Sequence, residues 1–183
     1  MNFKLEQRLV FIQMMLAVVT VITIIGYGML SNSFGYSDTL GFYERVHAFA
    51  PFLFCLILPL LVSIGRLASQ RFFHVDDIDS QHVGHRSVEA KRMQSVIQNT
   101  LEQVMLALMV YVFWLIVMPP VYLSGLSLGS CLFLLGRVVF IAGFDGGAST
   151  RAFGFALTYY STIVLMLIII FFGFAGLYIQ PAI

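Results

Sequence analysis

The sequence predicts an all-α integral membrane protein of five spans, and three observations carry that expectation. Of 183 residues, 60% are hydrophobic and 10% charged. The apolar residues gather into five stretches, each near the roughly 20 residues that cross the hydrocarbon core as a helix. The segments between them are short and polar, so no length remains for a separate soluble domain, and residues 1–183 read as one transmembrane domain. A net charge of +1 lacks the basic excess that a nucleic-acid partner would call for.

The first stretch, Leu9–Leu30, follows Lys4, Glu6 and Arg8. No small-x-small cleavage pattern closes it near Ile24 to Met29, so it reads as a retained span and not a signal peptide. The second is Ala48–Ile64. The third, Ser95–Met118, starts late: its strongly apolar part, Val104–Met118, is too short to cross unaided. The helix must therefore continue back through Arg92, Ser95, Asn99 and Glu102. Paired Pro119 and Pro120 end it. The fourth stretch, Val121–Phe144, holds Arg137 as its single charge, and a glycine-containing turn from Asp145 to Arg151 leads into the fifth, Ala152–Ile179.

With five spans, Lys4, Arg8, Arg151 and the basic residues of the loop 65–94 (Arg66, Arg71, Arg86, Lys91, Arg92) fall on one side. The other side has only Arg45. The positive-inside rule then makes the N-terminus cytoplasmic and places the C-terminus opposite. Cys55 and Cys131 lie inside apolar runs and form no CxxC, which argues against a disulfide framework or a redox motif.

Ionisable groups at membrane depth are costly and point to function or to a specific pairing. Arg92, Ser95, Asn99 and Glu102 follow a three-then-four-residue rhythm that puts them along one helix face, with Gln98 at its border. Arg137, about two turns before Phe144, stands at comparable depth on the next span. An ion pair between Glu102 and Arg137 is the expectation, either as a structural bolt or as part of an anion site. Arg151 opens the last span, where the helix dipole prefers anions, so an anionic ligand or Asp145 is its natural partner. His74, Asp76, Asp77, Asp79, His82 and His85 offer metal-ligand chemistry but match no zinc or di-metal spacing, so they read as a hydrated loop and no metal is expected.

From Ala48 onward the layout resembles the superfamily of membrane-associated proteins in eicosanoid and glutathione metabolism (MAPEG), in the manner of a divergent bacterial-type member. Three features carry the resemblance. A span ends in basic residues around Arg66 and Arg71, an N-x-x-E signature opens the next helix as Asn99 to Glu102, and an arginine-led segment runs from Arg137 to Gly143 and Phe144 with Arg151 beyond it.

The resemblance implies a four-helix bundle over residues 46–183, with residues 1–45 as an additional N-terminal span and loop. It also implies a homotrimer in a bacterial inner membrane. Glutathione would lie between protomers near the cytoplasmic face, held by Asn99, Glu102 and Arg137, with Arg66, Arg92, Gln98, Phe140 and Phe144 around it. Arg151 would stabilise its thiolate for attack on a lipophilic electrophile arriving from the bilayer. Family transferases commonly carry tyrosine where this chain has Phe140 and Phe144, and a basic residue where it has Ser95. The family also includes a non-catalytic lipid-binding member, so a lipid-binding or scaffold role is the alternative.

Overall fold

A computed structural model describes residues 3–74 and 87–176 and is helical throughout its ordered elements. The elements are α1 (Phe3–Ser31), α2 (Phe42–Phe49), α3 (Phe54–Phe73), α4 (Val88–Val117), α5 (Leu123–Ala142) and α6 (Ala148–Phe174). A 3-10 turn at Ala50–Leu53 fuses α2 to α3, so five helical rods are long and apolar enough to span a membrane. The chain is thus a multi-pass integral membrane protein. The five expected stretches all become helices; four of the rods start earlier than the stretch expected, and α5 starts at Leu123 after a 3-10 turn at Pro120–Tyr122. α4 reaches back to Val88, where the Ser87 hydroxyl accepts the Ala90 N–H at 3.0 Å and caps the helix.

Packing inside a bilayer lacks a hydrophobic driving force between helices, so close backbone approach and interhelical hydrogen bonds must hold the rods together. The interfaces follow that rule. Gly125 and Gly129, four apart on α5, receive α1: a Cβ added at Gly125 would lie 2.6 Å from Met29 Cγ, and one at Gly28 of α1 would lie 2.9 Å from Ser124 O. α1 buries Ala17, Val21, Ile25 and Gly28 along this seam. The remaining face of α1, including Leu9, Phe11, Leu16 and Val19, is exposed to the surroundings of the chain. α5 and α6 make the most extensive helix pair, α1 packs on both, and α3 packs chiefly on α4.

Polar residues tie the end of the bundle remote from Arg151. Ser124 Oγ donates to Asn32 Oδ1 at 2.9 Å, Tyr36 OH lies 3.1 Å from Ser127 Oγ, and Ser130 Oγ donates to Phe52 O at 2.7 Å. One three-residue row of serines on α5 thereby fastens the first loop and the 3-10 turn. Arg45 is buried and donates to the carbonyl of Met118 at the C-terminus of α4, where a cation complements the helix dipole.

Candidate functional site

Arg137 anchors the opposite end. Its side chain is fully buried among α4, α5 and α6. Nη1 donates to Asn99 Oδ1 at 2.8 Å, Nε donates to Thr158 Oγ1 at 3.1 Å, and the guanidinium carbon lies 4.5 Å from the centroid of Phe140. Thr158 Oγ1 donates onward to Gly154 O at 2.9 Å. Among the described residues Nη2 has no hydrogen-bond partner. Close contact of α5 and α6 makes this arrangement: a Cβ at Gly154 would lie 2.8 Å from Gly136 O and closer still to the Phe140 nitrogen.

The expected ion pair between Glu102 and Arg137 is not formed within the chain. Glu102 is exposed and accepts a 2.9 Å hydrogen bond from Gln98 Nε2. The cause is azimuth. Steps of three residues drift by about 60° around a helix of 3.6 residues per turn. Along the polar stripe, Asn99 therefore still reaches the bundle interior while Glu102 has rotated outward.

The turn after α5 sets the position of Arg151. Gly147 adopts φ +95°, a conformation that favours glycine, and Thr150 Oγ1 lies 2.8 Å from Gly143 O and 3.0 Å from Gly147 O. The Arg151 guanidinium carbon then sits 4.9 Å from the Phe144 centroid, and that of Arg92 sits 6.0 Å from it. The suggested contact of Arg151 with Asp145 is not made, because Asp145 pairs with Arg92, which also bonds Glu89 at 3.1 Å. Among the described residues no acidic group forms an ion pair with Arg151.

These parts surround a cleft of about 440 Å³. Ser95 and Asn99 of α4, Phe140 and Phe144, and Arg151 and Phe155 of α6 line it, and Val10 and Met14 of α1 complete the wall. That volume lies within the roughly 300–1,000 Å³ typical of small-molecule sites. The cleft brings together Asn99, Phe140, Phe144 and Arg151 of the expected set, with Arg137 behind Asn99. Arg66 and Arg92 line a separate hollow between α3 and α5, and Gln98 and Glu102 face outward. Val10 and Met14 carry no sequence signal of a place in the cleft, although the Gly125–Gly129 pair is a readable sign that another helix docks on α5. Beyond His74, the histidine- and aspartate-rich stretch falls outside the described residues; His74 Nδ1 lies 3.0 Å from Gln70 O.

The fold and cleft define a class: a polytopic helical membrane protein with a cationic, aromatic-walled pocket at one end of its bundle. The chain belongs to the MAPEG family, whose model matches residues 46–171, from within α2 to near the end of α6. No curated protein and no solved structure matches the chain. The family match excludes α1, which nevertheless walls the cleft.

Proposed function

We propose that the protein is a glutathione-dependent membrane transferase or peroxidase acting on lipophilic electrophiles, assembled as a homotrimer with its N-terminus and its Arg151 cleft on the cytoplasmic side. The observation that carries this reading is the guanidinium of Arg151, set in a cleft with no acidic partner among the described residues. A cation so placed is available for an anion. The buried, unpartnered Nη2 of Arg137 supports the same reading, since it leaves an N–H donor behind Asn99.

Glutathione, when bound, would supply a thiol nucleophile. The chain's residues have separable tasks around it. Arg151 favours the thiolate by its charge, the reactive form of a thiol. Asn99 is held in one orientation by Arg137 and offers its amide N–H₂ to a peptide oxygen. Phe140, Phe144 and Phe155 exclude water, which strengthens the electrostatic contacts inside. Glu102 and Gln98, exposed on α4, belong to the face that a neighbouring protomer covers, since a carboxylate left against lipid costs about 2.5–3.5 kcal/mol on insertion scales.

The test is the ultraviolet band of the thiolate on adding glutathione to the purified protein. The wild type should develop it, and Arg151→Ala should lose it while keeping its melting temperature. Absence of glutathione binding by the wild type would reject the reading. A second reading, a lipid-binding or scaffold protein, draws on Phe140 and Phe144, whose rings offer the cleft no hydroxyls. It predicts a lipid in the cleft and no response to glutathione.

A further inference from the structure

A second hollow of about 280 Å³ lies beside the cleft, between α1 and the start of α6. Val10, Met14 and Ala148 line both spaces, so the two are contiguous. Phe3 and Phe11 form the rest of its apolar wall, and Glu6 and Gln7 also line it. Phe3 is 70% exposed and Phe11 60% exposed, so the hollow opens outward along the exposed face of α1. α1 is fixed against α6 beside it: Gln13 Oε1 accepts the backbone N–H of Phe153 at 3.1 Å. A cationic cleft thus continues into an apolar hollow that opens sideways.

Building on the proposed function, we propose that this hollow seats the apolar body of the lipophilic acceptor, with Val10, Phe11 and Met14 of α1 setting its size. The acceptor's reactive carbon or oxygen would lie towards Arg151 and its hydrocarbon along α1. Two features support this occupant over a polar one: the lining is apolar apart from Glu6 and Gln7, and the hollow is continuous with the cleft that holds Arg151. α1 lies outside the residues shared with the family, so this seat is a property of this chain's added helix.

The probes are S-methylglutathione and S-octylglutathione, whose dissociation constants are measured by calorimetry in one detergent. The readout is their ratio in each protein, so partition of the probe into micelles cancels between variants. The wild type should bind the octyl conjugate at least tenfold more tightly. Met14→Trp, which fills the junction of the two spaces, should bring the ratio within about twofold of unity. Phe11→Ser, which alters only the hollow, should lower it at least threefold, and serves if the tryptophan variant fails to fold. An unchanged ratio in a folded variant, or no octyl preference in the wild type, overturns the acceptor seat and leaves the glutathione reading standing. If neither conjugate nor glutathione binds the wild type, the proposed function fails and the acceptor seat fails with it.

Discussion

Asn99 Oδ1 accepts a 2.8 Å hydrogen bond from Nη1 of Arg137, and this contact joins the buried polar centre of the bundle to the wall of the cleft. On one side of it the guanidinium is locked by Thr158 and the Phe140 ring. On the other, the Asn99 side chain borders the space beside Arg151. The same amide therefore holds the buried cation and borders the cleft.

Replacing Asn99 with Ala removes the acceptor of a buried charged donor. Such a loss costs about 1–3 kcal/mol, more where the group is charged. Thermal unfolding in detergent should show a lowered midpoint for Asn99→Ala. Arg137→Ala, which leaves Asn99 and Thr158 without their donor and opens a void, should be lower still. Equal stability of Asn99→Ala and wild type would mean that the bond contributes nothing.

Gly154→Ala should be among the most damaging small substitutions in the chain. The added methyl meets the backbone of α5 at Gly136 and Phe140, and overpacking of this kind costs about 1–3 kcal/mol. Gly26→Ala provides the contrast: nothing lies within 4 Å of its Cβ position, and helical glycine is less stable than alanine by about 0.5–1 kcal/mol. Melting curves of the pair should move in opposite directions.

How far the sequence foretold this architecture differs between elements. Five spans were legible because hydropathy and length together decide whether a helix crosses lipid. The backward extension of α4 was legible too, since Val104–Met118 is too short alone. Glu102 and Arg137 were expected to pair because depth can be counted along a helix. Azimuth depends on how the rods pack, and it turned Glu102 outward and gave Arg137 to Asn99. The pairing of Asp145 with Arg92 was hidden for a related reason: it depends on the close fold of the turn around Thr150, which the sequence leaves open. The role of α1 as a wall of the cleft could be read only from the packing of Val10 and Met14.

Glu102→Gln separates the chain's own fold from its assembly. Among the described residues Glu102 hydrogen-bonds Gln98 on its own helix, so the substitution should leave helical content unchanged and monomer stability within about 0.5 kcal/mol. If α4 meets a second copy there, the trimer fraction measured by native mass spectrometry should fall. An unchanged trimer fraction would remove Glu102 from the interface.

Whether the cleft walled by Val10, Met14, Phe144 and Arg151 holds glutathione is decided by a structure solved with added glutathione. Tripeptide density is expected in that cleft, with the sulfur beside the Arg151 guanidinium and an oxygen within hydrogen-bond reach of Asn99. Density for a lipid chain in its place, or an empty cleft at saturating glutathione, would contradict it.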